Sequence, residues 1–272
     1  MSSKVKRVGF IGAGNMATAL IKGIIGSGLY SPDMLNVYDN DPDKLKTMYK
    51  TYHVEGVLSN KELVKACDII ILAVKPQVMN AVLEEIKGEV TKNHVVISIA
   101  AGIKIGAIQE FLGKDVPVIR VMPNTPALIQ RGVSAVAAGE AVTPEQMNIA
   151  LEILKAVGIA FTVDEAMMDA VTAVSGSGPG FIFRIMEYFI EAAENQGFNK
   201  DTATKMVVQT FLGASMLAES SELPLSELKK MVTSPGGTTE AGLKYIDTNK
   251  LGDLIDGTIE TAKERSIELG RK

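Results

Sequence analysis

The spacing of apolar positions changes near residue 163. Before it, short β-branched runs recur over Val5–Ile11, Leu35–Asp39, Asp68–Val74, Val95–Ala100 and Val116–Met122. Their Ile/Val content is continuous rather than alternating, which predicts parallel strands covered on both faces. Helical spacing separates them over Asn15–Ser27, Pro42–Tyr49, Lys61–Ala66, Pro76–Gly88 and Lys104–Leu112. Strand–helix alternation of this kind predicts stacked βαβ units and a doubly wound α/β sheet over residues 1–163. Two further runs, Val133–Ala138 and Ile159–Val163, flank a helix opened by Thr143-Pro144, an N-cap residue followed by Pro at the first helical position. They extend the sheet at an edge, in a direction the sequence leaves open.

From residue 164 to 272 the strand signal vanishes and helical spacing runs through Glu165–Val174, Phe181–Gln196, Lys200–Glu219, Ser226–Val232, Thr238–Thr248 and Lys250–Leu269. The last carries Leu251, Leu254, Ile255, Thr258, Ile259 and Ala262 on one face. Six of the 13 methionines lie in this half, where they read as adaptable core or subunit interface rather than a ligand box. Long helices with no sheet to pack on predict an all-α domain that buries itself against a second copy, giving at least a homodimer.

Composition narrows the function. With 46% hydrophobic and 22% charged residues, the 272-residue chain has an ordinary globular balance and room for two domains. A net charge of −4 without a Lys/Arg-rich block argues against a nucleic-acid partner. Cys67 is the only cysteine, which excludes an intrachain disulfide and fits a reducing compartment, and with only His53 and His94 no metal site is expected. The longest clean apolar run, Ile69 to Val74, is too short for a membrane span. Lys4, Lys6 and Arg7 precede an apolar stretch that breaks at Gly12 and Gly14, too short for a signal peptide, so a cytoplasmic protein is expected.

Gly12-Ala13-Gly14-Asn15-Met16-Ala17 is the G-x-G-x-x-A form of the dinucleotide fingerprint, placed after a strand and at the opening of a helix. Gly12 serves the tight turn, Gly14 admits the pyrophosphate to the backbone, and Ala17 allows close helix–strand packing. The phosphates then meet free N–H groups at the positive helix end. Asp39, ending the next strand 22 residues past Ala17, is placed to accept from the adenosine ribose hydroxyls and repel a 2′-phosphate. No arginine is near; the closest bases are Lys44 and Lys46, so NADH is favoured over NADPH. Ala73-Val74-Lys75-Pro76 ends the third long strand, where an open α/β sheet binds ligands, although Lys75 reads equally as a solvated turn lysine. Ser98-Ile99-Ala100-Ala101-Gly102 and Met122-Pro123-Asn124-Thr125-Pro126 end the next two, the latter a stiff loop presenting Asn124.

In the helical half, Ser175-Gly176-Ser177-Gly178-Pro179 and Ser234-Pro235-Gly236-Gly237-Thr238-Thr239 each precede a helix. They read as loops offering N–H groups and hydroxyls to a carboxylate. No histidine falls in any motif, which disfavours a hydroxy-acid dehydrogenase with a His acid. A cofactor and an anion cradle without a strong acid suit reduction of an already basic C=N group, which needs orientation and exclusion of water.

In order along nearly the whole chain, these motifs resemble the pyrroline-5-carboxylate reductases. The carriers are the glycine fingerprint from Gly9, Ala73–Pro76, Arg120–Pro126, Ser175–Pro179 and Val232–Thr239. The resemblance implies a Rossmann domain, an interlocking helical dimerisation domain, often a decamer of five dimers, and reduction of 1-pyrroline-5-carboxylate to L-proline with NAD(P)H. By position it implies cofactor contacts from Ile11, Gly12, Ala13, Gly14, Asn15, Met16, Asp39, Asn60, Ala73, Val74, Lys75 and Pro76, with Ile99, Ala100, Ala101 and Asn124 towards the nicotinamide end. Gly176, Ser177, Gly178 and Thr238 are implied to hold the substrate carboxylate, Thr239 to hydrogen-bond the ring nitrogen as the catalytic residue, Glu165 to touch substrate, and Glu222 to order a water near it. Gly180 replaces the family's usual Ala, and Asp39 stands where many members carry Ser or a residue beside Arg. Two other readings compete. A β-hydroxyacid-type dehydrogenase would want a Lys on Phe181–Gln196, which has none, and a nucleotide-sensing protein leaves both Gly/Ser loops without a purpose.

Overall fold

The structure is a computed structural model and describes residues 6–270. One sheet contains eight strands: β1 (Val8–Ile11), β2 (Leu35–Tyr38), β3 (Glu55–Gly56), β4 (Ile69–Leu72), β5 (Val95–Ser98), β6 (Val118–Met122), β7 (Gly132–Ala138) and β8 (Gly158–Thr162). Their order is β3-β2-β1-β4-β5-β6-β7-β8, parallel throughout except where β7 runs antiparallel to β6. The two late strands thus lie at the predicted edge, β7 reversed and β8 parallel to it. The expected start of the first strand at Val5 lies outside the described residues. Strands β2, β4 and β5 end earlier than their apolar runs, although the N–H groups of Ala73 and Ile99, just past β4 and β5, still donate to the Ile11 and Leu72 carbonyls (2.8 and 3.1 Å). The two-residue β3 carried no sequence signal, both its residues being exposed.

The helices are α1 (Asn15–Gly26), α2 (Pro42–Tyr52), α3 (Asn60–Ala66), α4 (Pro76–Ile86), α5 (Ile105–Leu112), α6 (Pro144–Lys155), α7 (Met168–Val171), α8 (Gly178–Asn195), α9 (Lys200–Ser220), α10 (Leu225–Met231), α11 (Thr238–Thr248) and α12 (Leu251–Leu269). Local chemistry sets their starts: Asp41 and Ser59 accept from the N–H groups of Asp43 and Glu62, and Thr143 with Gln146 forms a reciprocal capping box. Both faces of the sheet are buried. One packs Val8, Phe10, Val37, Ile69 and Ile71 with Leu20, Ile21 and Ile24 of α1; the other packs Ile11, Ile70 and Leu72 with Leu63, Met79 and Leu83. This two-sided burial is why the strands read as unbroken apolar runs.

The chain forms two compact units, residues 1–177 with 262–272, and residues 178–261. In the smaller, α8, α10 and α11 bury no residue, and large side chains such as Phe183, Phe189, Leu212, Met216 and Leu254 are about half exposed. Phe189 and Phe211 meet edge to face at 5.3 Å, tying α8 to α9. An apolar surface this extensive marks an interaction face.

The segment expected as one helix over Glu165–Val174 is subdivided. A 3₁₀ turn at Glu165–Met167 leads into α7 and then into a widened, π-helical turn, Thr172–Gly176, closed by Ser177 N–H donating to the Thr172 carbonyl (2.8 Å). The Ser175–Pro179 stretch is therefore not a free loop. Helix α8 begins at Gly178, because Pro179 in a first helical turn lacks only an N–H that has no intrahelical partner there.

Candidate functional site

Parallel β1, β2, β4, β5 and β6 deliver their following loops to one edge of the sheet, and the strand order reverses between β1 and β4, where such sheets bind ligands. Gly12 adopts φ +102°, and a Cβ there would lie 2.7 Å from the Ala73 carbonyl oxygen, so the turn after β1 requires glycine. Gly14 differs. It is the N-cap of α1 at φ −76°, ψ −178°, open to any residue, and a Cβ there meets nothing within 4 Å. The protein's own packing does not demand glycine at this position. The N-cap supplies no side chain to the first turn, whose N–H groups have no intrahelical partner.

Asp39 follows β2 and organises this corner. One carboxylate oxygen accepts from Ala13 N–H (2.8 Å), the other from Asp41 N–H (2.9 Å), and Lys44 lies 3.2 Å away. Burial pushes its pKa up, but the bonds from Ala13, Asp41 and Lys44 outweigh that and hold it below the ordinary carboxylate value. Asp39 thus has a turn role beside Asp41, and its charge is matched by Lys44. The side chains of Thr18, Asp41, Asp43, Lys44 and Thr47 line a cavity of about 240 Å³ beside Ala13.

Because β3 is parallel to β2, the start of α3 reaches the same edge. There Asn60 is buried; its Nδ2 donates to Glu85 (2.8 Å), while its Oδ1 is buried without a partner among the described residues. An orphaned acceptor costs on the order of 1–3 kcal/mol unless a donor arrives, so it is a natural place for a ligand hydroxyl. The open space over Gly14, the uncapped α1 and this acceptor together fit a dinucleotide. Lys75, N-cap of α4 before Pro76, has no acidic partner among the described residues, and Ala100 N–H donates to the buried Ser98 hydroxyl (3.4 Å).

Three polar side chains, Glu165, Arg120 and Asn124, belong to the elements at the far end of this edge. Glu165 accepts from Ile105 N–H at the start of α5 (2.8 Å) and from Arg120 (3.3 Å), a buried guanidinium in β6. Arg120 opens one of the motifs that carry the resemblance but is given no site role by it; a single cation inside Val-Ile-Arg-Val-Met is the signal that marks it. Asn124 is buried, its Oδ1 accepting from Val133 N–H (2.8 Å) and its Nδ2 donating to the Ser175 carbonyl (3.1 Å).

In the smaller unit, Gly236 takes φ +70° and Gly237 N–H donates to the Ser234 carbonyl (2.9 Å), shaping the turn into α11. Glu240 accepts from Gly236 N–H (2.6 Å). Gly237 caps without a side chain, so Thr238 and Thr239 stand in a first turn whose N–H groups have no intrahelical partner. Glu222 lies between α9 and α10 in sequence.

Comparison with known proteins identifies relatives. A family model described as pyrroline-5-carboxylate reductase dimerisation matches residues 165–269, and one described as NADP oxidoreductase, coenzyme F420-dependent, matches residues 7–102. The chain is 40% identical over 267 residues to a pyrroline-5-carboxylate reductase of Pseudomonas aeruginosa, covering 98% of this chain and 97% of that protein. It superposes on a pyrroline-5-carboxylate reductase from Coxiella burnetii with TM-score 0.94 and 38% identity, covering 98% and 99% of the two chains. The Plasmodium falciparum pyrroline carboxylate reductase with NADP bound gives TM-score 0.85 and 31% identity, with 98% of each chain covered.

Proposed function

The chain belongs to the pyrroline-5-carboxylate reductase family, NAD(P)H-dependent oxidoreductases that reduce 1-pyrroline-5-carboxylate to L-proline, the last step of proline biosynthesis, and from that premise we propose how its residues divide the work. The observation that carries the reading is Gly14, a glycine whose missing side chain leaves open space above an uncapped helix start. Bound NAD(P)H supplies the hydride. The first-turn N–H groups of α1 hold its pyrophosphate, with Ile11–Met16 and Ala73–Pro76 walling the crevice and Ile99–Ala101 at the nicotinamide end. Asn60 Oδ1 accepts a ribose hydroxyl, supported by its orphaned state. Asp39 accepts from the adenosine ribose and favours NADH; Lys44 beside it tempers the discrimination, and the Plasmodium relative holds NADP.

The substrate is already cationic at its C=N nitrogen when protonated, so the chain needs no strong acid to activate it. Gly176, Ser177, Gly178 and Thr238 hold its carboxylate, and the Thr239 hydroxyl accepts from the ring N–H, fixing the face that receives hydride. Glu165, anchored to Arg120 and Ile105, borders the substrate, and Glu222 orders a water near it. The exposed apolar helices of the smaller unit and the match to a dimerisation family support a homo-oligomer, which we place at a dimer or a decamer of five dimers. The buried thiol of Cys67 supports a cytoplasmic setting, and no helix among the described residues is long and apolar enough to cross a membrane. Thr239→Ala tests the catalytic assignment. Loss of one hydrogen bond to a charged group predicts kcat about 10- to 100-fold lower with NADH affinity near normal, and unchanged kcat removes Thr239 from the mechanism.

A further inference from the structure

We propose that Asn124 is a positioning residue for substrate: it fixes the widened turn Thr172–Gly176 to the sheet and thereby sets substrate affinity. This rests on the reading that Gly176–Gly178 receive the substrate carboxylate. The Ser175 carbonyl of the turn takes its donor from outside the helix. In a regular helix Ser175 C=O would accept from the N–H of residue 179, and residue 179 is Pro, which has none. Asn124 Nδ2 supplies that donor at 3.1 Å, while its Oδ1 is held by Val133 N–H at 2.8 Å, so one side-chain amide bridges the start of β7 to the turn. Only 8% of Asn124 is exposed, and the backbone that carries it is stiffened by Pro123 and Pro126. Met122, two residues earlier, packs beneath the same turn: a Cβ on Gly176 would stand 2.3 Å from its terminal methyl. Ala173 within the turn is fully buried. One short segment, Met122–Asn124, therefore both supports and tethers the turn.

Asn124→Asp keeps the acceptor for Val133 N–H but removes the donor and turns a carboxylate towards the Ser175 carbonyl. The expected result has three parts. The KM for pyrroline-5-carboxylate rises roughly tenfold or more; the KM for NADH rises by a smaller factor; amide exchange of a peptide covering residues 172–177 quickens relative to the rest of the chain. Should this variant not fold, Asn124→Ser is read the same way. Unchanged exchange overturns the tether. Faster exchange with an unchanged substrate KM overturns the carboxylate reading of the turn, and with it the functional half of the proposal. A rise in the NADH KM alone assigns Asn124 to the cofactor and overturns the proposal outright.

Discussion

The two fingerprint glycines make opposite demands, and Gly14→Ala separates folding from binding. At φ −76°, ψ −178° an alanine is unstrained, and its Cβ meets nothing within 4 Å. Removing a glycine lowers unfolded-chain entropy, worth about 0.4–1 kcal/mol, while alanine is a poorer N-cap than glycine by a similar amount. These terms offset, so stability should change by less than about 1 kcal/mol, or roughly 2–4 °C in Tm for a chain of this size. The added methyl instead occupies the space where the pyrophosphate approaches the backbone. At about 1–3 kcal/mol for overpacking, NADH should bind roughly 5- to 150-fold more weakly. Gly12→Ala is the control: at φ +102°, with its Cβ 2.7 Å from the Ala73 oxygen, it should lose about 1–3 kcal/mol of stability and cofactor binding as well. Thermal unfolding without ligand and fluorescence titration with NADH measure both quantities. A Gly14→Ala protein that binds NADH as the parent does would refute the claim that this space belongs to the cofactor.

Asp39→Ser should raise the NADPH/NADH ratio of kcat/KM by about 10- to 100-fold, since it removes a negative charge beside the 2′-position and leaves Lys44 unpaired; an unchanged ratio sinks the ribose assignment. Because Asp39 titrates below the ordinary carboxylate value, the parent's preference should hold while pH falls to about 5, and an earlier loss would contradict the bonds from Ala13 and Asp41. Burial first, with Asp68 adding and Arg7 opposing, pushes the Cys67 thiol up to about 12. Between the ordinary thiol value and that one the unfolded chain has lost a proton the folded chain keeps, so denaturant midpoints should fall as pH rises through this window. Native protein should resist thiol reagents near pH 8, and rapid labelling would contradict the burial.

The doubly wound half was legible because strands buried on both faces carry dense Ile/Val runs, and glycine or proline marks the turns after β1, β2, β4 and β5. What escaped has physical reasons. Strand β3 has two exposed residues and exists only through pairing with β2, yet it brings Asn60 to the ligand edge. The direction of β7 depends on a chain reversal through the 3₁₀ turn Thr125–Ile129, which hydrophobic period cannot encode. Ser175–Pro179 looked like a loop because glycine and proline punctuate it, whereas the chain continues through a π-turn whose missing donor Asn124 provides from 51 residues away. The link between Arg120 and Glu165 is likewise tertiary, although a cation inside an apolar strand signals that a partner is needed. Spacing singles out Asp39 as a candidate, but its bonds to Ala13 and Lys44 belong to the folded corner.

The central claim is tested most directly by following loss of reduced-nicotinamide absorbance with pyrroline-5-carboxylate, in parallel with NADH and NADPH, while assaying proline. Consumption matched one for one by proline, faster with NADH, is the predicted result. If both cofactors bind and neither is consumed, the dinucleotide crevice stands and the imine-reductase account is contradicted.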